Sequence, residues 1–477
     1  MRSLFKNDDW MALWIGLAVV VLALFTMVNV DLLGFAVKTN IWLDLGKAFE
    51  PVSKNYAGLP GVLSIVLSYL FLLVIMSLGA VALNLNLKKF AVSFTIIFWL
   101  SYACWVIGNV AYIAATPDVA LYKSVPWTLR LTGEAGFVVA LLGGLIVGNF
   151  FPRFADYLKE GIKPEWYIRT AIVILGASLG VQAAGALGLA TEVMFRGLAA
   201  IIEAYLIYWA LVYLVARKFF KFSREWAAPL AAGISICGVS AAIAVGGAIR
   251  ARPIVPIMVS SLVVIFAVVE LLILPFLAQT FLFQEPMVAG AWMGLAVKTD
   301  GAATASGAVA DSLIRARALA EQGVNYKEGW ILMATTTVKT FIDVFIGVWA
   351  FVLALVWANV IDKEKGEKVR AIEIWERFPK FVIGYVITFV LFLVLAVNSP
   401  SLLNQAKIAT AESNIFRVLF FVMTFFTLGV MSNFKKLWQE GIGKLALVYV
   451  LSLFGFIIWI GLFISYLFFN GVKPPLA

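Results

Sequence analysis

Histidine is absent from all 477 residues of the chain. That one absence removes Ser-His-Asp and Cys-His catalysis, histidine-ligated haem and the common histidine zinc sites. Cysteine is nearly absent too. Cys104 and Cys237 each lie inside an apolar run, so no disulfide framework exists beyond a single bond. Both read as small apolar packing residues. Charge is scarce, at 13% of residues against roughly a quarter in a soluble domain. No G-x-x-x-x-G-K-[ST] loop occurs, so ATP is excluded as a driving force.

Apolar residues fill the chain instead: 63% of it, with a mean hydropathy of +0.98. That is more than a water-soluble surface can hide, and disorder needs the opposite composition. Only helices or closed barrels span a bilayer. A barrel would alternate apolar and polar positions over strands of about ten residues. Here the apolar runs are continuous and about twenty residues long, which selects helices. They fall at 11–30, 58–85, 90–114, 131–151, 170–190, 197–216, 226–248, 254–278, 288–310, 329–357, 381–397, 413–433 and 444–469. The expected fold class is an all-α polytopic membrane bundle of about 13 spans. The first run is too long for a cleaved signal peptide and reads as a retained helix.

Lysine and arginine set an expected orientation. With the N-terminus inside and every run crossing, the inside loops hold more than half of the 37 basic residues. A multi-pass protein of a bacterial inner membrane, with a cytoplasmic N-terminus, follows. The net charge of +10 then reflects loops held against anionic lipid, with no nucleic acid partner.

Residues 1–125 hold three spans with few embedded polar groups. From Leu131 onward the runs grow rich in glycine and in polar groups. We therefore expect an N-terminal three-helix extension, 1–125, and a working core of about ten spans, 126–477. A linker of mixed charge, 361–380, would join two halves of that core on the cytoplasmic side. Leu175-Gly176-Ala177-Ser178 and Leu428-Gly429-Val430-Met431-Ser432 are alike and run in opposite senses in this topology, as an inverted repeat requires. Close glycine packing explains the same similarity equally well.

Charged side chains at membrane depth are costly, so they are functional or paired. The candidates are Glu134, Glu203, Glu270, Lys298, Asp300, Lys339 and Asp343. Lys298, Thr299, Asp300, Thr304 and Ser306 lie in a run dominated by small residues. Such a run lets a helix break and turn backbone donors toward an anion. Lys339 and Asp343 are four apart and share a helix face. They either neutralise each other or pair with partners on the 288–310 run. Ser235, Cys237, Gly238 and Ser240 form a second small-residue stretch suited to an unwound segment. The acids Asp300, Asp343, Glu134, Glu203 and Glu270 are candidates for coupling to a proton or to Na+, and no other cofactor is expected.

The stretch Ser235-Ile236-Cys237-Gly238-Val239-Ser240-Ala241-Ala242 resembles the signature of the YeiH-like family of membrane proteins, named for sulfate export. Gly143 to Asn149, Ile174 to Leu179, Val338-Lys339 and Leu428 to Lys436 follow in that family's order, so the resemblance covers roughly Thr128 to Phe469. Lys298 stands where the family usually has a histidine, and Ile342 where it keeps an arginine. The resemblance implies an inverted-repeat bundle with crossing broken helices, similar to the bile acid and anion transporters.

The leading expectation is therefore a secondary active transporter of a small anion: sulfate, an organic sulfonate or a carboxylate. Substrate would lie between 233–242 and 298–306, with Lys298 and Lys339 supplying charge. The chain is not expected to be an enzyme, since without histidine no convincing cluster of catalytic groups remains. A channel, or a membrane partner protein docking through its first three helices, is the alternative. A homo-oligomer is compatible with either.

Overall fold

The computed structural model describes residues 7–115, 119–129, 131, 133, 135–252, 254–361, 375, 378–398, 402–432 and 443–477. Among these are 11 helices long and apolar enough to cross a membrane, together with shorter apolar helices at Ala135–Phe150 and Pro286–Ala296. Among the described residues, every expected run is largely helical. The run at 288–310 is divided by the non-helical residues 297–299, into Pro286–Ala296 and Asp300–Gln322.

The chain forms two compact units from interleaved segments. The first takes residues 1–190, 315–325 and 380–431. Its helices are α1 (Asp8–Leu24), α2 (Gly61–Ala82), α3 (Leu87–Gly108), α4 (Ala135–Phe150) and α5 (Pro164–Ala184), with Lys380–Asn398 and Leu403–Met431 from much later in the chain. Local chemistry fixes their starts. Asn7 caps α1 by accepting from the Asp9 N–H at 2.8 Å, Asn86 caps α3 through Lys89 N at 3.0 Å, and Pro164 opens α5 where a missing N–H costs nothing. Lys380–Asn398 packs on α1 and α5, and Leu403–Met431 on α4 and α5. Between α1 and α2, strands β1 (Val37–Thr39) and β2 (Phe49–Pro51) pair antiparallel with Lys38 opposite Glu50. The ammonium of Lys38 lies 2.9 Å from the Glu50 carboxylate and holds that carboxyl below its usual range.

Glycine governs the closest crossings here. A Cβ on Gly144 would strike the Phe426 carbonyl, and one on Gly429 would strike the Leu141 carbonyl. The two glycines thus face each other across α4 and Leu403–Met431, and the backbones touch. Gly176 does the same against Tyr385 and Thr388. Both matched glycine motifs therefore serve close packing in one unit.

The second unit takes residues 191–314, 326–379 and 432–477. It contains α6 (Leu187–Phe219, from Thr191 onward), α7 (Arg224–Ala248), α8 (Ile254–Phe281) and α9 (Pro286–Ala296). It also holds α10 (Asp300–Gln322, as far as Ile314), α11 (Trp330–Val344), α12 (Ile346–Val356) and α13 (Gly443–Phe469). Helix α9 packs between α11 and α13, and the second half of α7 lies on α8 and α12.

These units cut across the division read from composition. Helices α1 to α3 pack with α4, α5 and the 380–431 segment, so residue 125 is not a boundary between compact bodies. Composition reports a change in polarity, and packing does not have to follow it. Of the charged linker 361–380, residues 362–374, 376 and 377 lie outside the described residues.

Many outward side chains are bulky and apolar, such as Val62, Val74 and Leu78 on α2 and Trp459, Phe463 and Leu467 on α13. In water such faces would drive aggregation; lipid accepts them. The chain is a multi-pass membrane protein.

Candidate functional site

Helix α7 does not run straight. Its first half passes through a π-helical turn at Gly233–Cys237 and stops, and its second half restarts at Gly238. Gly238 has φ +25°, a conformation that side-chain-bearing residues rarely adopt. A second break separates α9 from α10. Val297 is extended, with φ −83° and ψ 127°, and Thr299 caps α10 by accepting from Ala302 N at 3.1 Å.

The two breaks meet. A Cβ on Gly238 would lie 2.8 Å from Thr299 Cγ2 and 3.1 Å from the Lys298 carbonyl. Only glycine permits that approach. Two helix N-termini, at Gly238 and Asp300, thus come together inside the second unit, and each carries N–H groups with positive partial charge.

Lys298 occupies this crossing and is 1% exposed. Its backbone N–H donates to Glu270 Oε2 at 3.0 Å. Its ammonium donates to the Leu295 carbonyl and stands 4.4 Å from the centre of the Tyr208 ring. A cation over an aromatic face gains attraction without an anionic partner. Lys298 does not pair with Asp300, two residues away, which instead lies 3.8 Å from Lys339. Glu270 also accepts from the Tyr449 hydroxyl at 2.7 Å, which fixes the carboxylate from α13.

Lys339 closes the other side. Its ammonium donates to the Ile236 carbonyl at 2.7 Å, in the last turn before the α7 break. It lies 3.8 Å from Asp300 Oδ1 and 3.9 Å from Asp343 Oδ1. Lys339 thus faces a carboxylate on its own helix, α11, and another at the start of α10. Cys237 Sγ donates to Asp300 Oδ1. Charged groups without water must be compensated this way, because an isolated buried ion costs several kcal/mol or more.

Glu203 is fully buried on α6, and neither of its carboxylate oxygens has a hydrogen-bond partner. It starts a π-helical turn that ends at Tyr208, whose hydroxyl donates to the Ile457 carbonyl at 2.7 Å. Such turns recur at functional sites. Ser235 and Ser306 are buried with unpartnered hydroxyls, Thr299 and Thr304 are buried, and Ser240 is half-buried. Glu134 lies outside the described residues.

The second unit thus gathers Ser235, Cys237, Gly238, Lys298, Thr299, Asp300, Lys339 and Asp343 around one crossing, with Glu203 and Glu270 flanking it. Sequence reading missed Tyr208, Tyr449 and Asp311. Asp311 is buried and accepts from the N–H groups of Gly329, Ile331 and Leu332 at 3.1, 3.0 and 3.4 Å. It caps α11 from another helix and so anchors the element that carries Lys339 and Asp343. Asp311 falls just past the 288–310 run, beside Ser312 and Arg315, so nothing in the sequence marks it as buried.

Comparison with known proteins agrees with a membrane protein. The family model described as Conserved hypothetical protein 698 matches residues 102–448. A UPF0324 membrane protein of Nitrosomonas europaea is 42% identical over 475 residues, 98% of this chain and 97% of the relative. A UPF0324 membrane protein of Rhodopirellula baltica is 29% identical over 415 residues, 85% of this chain and 66% of the relative. An uncharacterized protein of Archaeoglobus fulgidus is 53% identical over 165 residues, 30% of this chain and 88% of the relative. No solved structure matches. With the family model matching well over half of its length, the chain belongs to the Conserved hypothetical protein 698 family of UPF0324 membrane proteins, consistent with the resemblance carried by Ser235 to Ala242.

Proposed function

We propose that the protein is a secondary active transporter of a small anion, working by alternating access and coupled to H+ or Na+. The carrying observation is the meeting of two helix breaks beside two buried lysines, Lys298 and Lys339. Half-helix N-termini and an ammonium together make an anion site at low cost, because the donors are already oriented. Sulfate, an organic sulfonate or a carboxylate fits that chemistry. Ser235, Ser306 and Thr304 supply hydroxyls, two of them unpartnered and therefore free to turn to a ligand. The carboxylates Asp300, Asp343, Glu203 and Glu270 are suited to cation coupling. They outnumber the two lysines, so an anion enters more readily when a proton or metal cation accompanies it. The excess of basic residues in alternate loops favours an N-terminus on the cytoplasmic side of an inner membrane.

The test is uptake of labelled sulfate, methanesulfonate and acetate into proteoliposomes, with Na+ and proton gradients imposed separately. Gradient-driven uptake of one of these anions is expected. Flux indifferent to both gradients indicates a channel, and no flux of any of the three overturns the anion reading.

A further inference from the structure

We propose that Cys237, Asp300 and Asp343 form a binding site for a borderline-soft metal dication of the Zn2+ class, and that Lys339 is a tethered cation occupying it until the ion arrives. One donor atom from each of the three residues lies within 4.8 Å of the other two, and all three residues are buried. The donors come from three separate segments. Cys237 precedes the α7 break, Asp300 opens α10, and Asp343 lies on α11. Two are fixed by backbone breaks rather than by flexible rotamers, which is how a preorganised site is built.

A second observation points to a ligand. Asp343 Oδ1 is buried in this cluster with no hydrogen-bond partner, and the Lys339 ammonium stands 3.9 Å from it. An acceptor facing acceptors is satisfied by a cation. Lys339 Nζ also lies 3.8 Å from Asp300 Oδ1, so it sits beyond hydrogen-bonding distance of both carboxylates while bonded to Ile236 O. It compensates the cluster without saturating it.

The donor set selects the ion. Na+, Mg2+ and Ca2+ are hard ions; Mg2+ and Ca2+ take six or more oxygens, and this triangle offers two carboxylates and a sulfur. Sulfur with carboxylate in a small triangle suits a tetrahedral dication with one position left open. On binding, the Cys237 thiol proton leaves for solvent and the sulfur bonds the metal. Asp300 exchanges the S–H donor it now accepts from for the same ion. Lys339 is expelled by like charge. If the anion-transport reading holds, the freed ammonium becomes available to substrate, and cation binding precedes anion binding. The ion site itself does not depend on that reading.

The probe is Co2+ titrated into the purified full-length protein, read by the sulfur-to-cobalt charge-transfer absorption that only a bound thiolate produces. With two cysteines in the chain the signal is assignable. One Co2+ per chain is expected, with the band kept in Cys104→Ser and lost in Cys237→Ser. Asp343→Asn should weaken binding at least tenfold. Lys339→Met should tighten it at least tenfold by removing the competitor, a gain that misfolding cannot imitate. A band that survives Cys237→Ser, or no band in either the natural protein or Lys339→Met, overturns the proposal. Transport without the band would sink the metal site alone; the band without transport would sink the anion reading alone.

Discussion

Asp311 accepts from the N–H groups of Gly329, Ile331 and Leu332 at the start of α11 with one buried carboxylate. Asp311→Ala should therefore lower stability by about 1.5–3 kcal/mol, the scale for losing hydrogen bonds to a charged acceptor. Thermal unfolding in detergent checks this, and Asp311→Asn should recover part of the loss. Residues of this kind were not legible in the sequence. An aspartate beside Ser312, Arg315 and Arg317 reads as an ordinary polar position, and nothing local says that it caps a distant helix. The same holds for Tyr208 and Tyr449, which are ordinary aromatic residues until Lys298 and Glu270 are folded against them. Lys298 and Lys339 were legible because a lysine inside an apolar run has no cheap explanation.

At the scale of elements, small residues decide where helices break and where they touch. Gly429 meets the backbone of α4 at Leu141 and Gly144, whereas Gly455 in α13 has open space around its Cα. Gly429→Leu should cost about 3 kcal/mol or more by forcing the two helices apart, while Gly455→Leu should be neutral or slightly stabilising. Expression level and unfolding temperature of the two variants separate them. The breaks in 226–248 and 288–310 were legible because both runs are poor in leucine and isoleucine and rich in glycine, alanine and serine. Their meeting at Gly238 and Thr299 was not, since composition carries no information on which break faces which. The β1–β2 hairpin was also missed: its strands are three residues each, too short for a periodic signal.

Across the whole molecule, hydropathy alone located the spans because lipid demands long apolar runs and little else does. The two compact units escaped it. They interleave segments from both ends of the chain, and no local property of a segment states which distant segment it packs on. The candidate site lies wholly within the second unit, so its chemistry is testable without reference to the first. The α7 and α9–α10 breaks, with Lys298, are proposed to bind a small anion. Isothermal titration of the purified protein with sulfate, methanesulfonate and acetate, with Na+ and Zn2+ each supplied in turn, is the measurement for it. Saturable binding of at least one of these is predicted, lost in Lys298→Ala and unchanged in Lys38→Ala, whose lysine lies in the β1 hairpin. Binding that survives Lys298→Ala, or no binding of any of the three, would contradict the account.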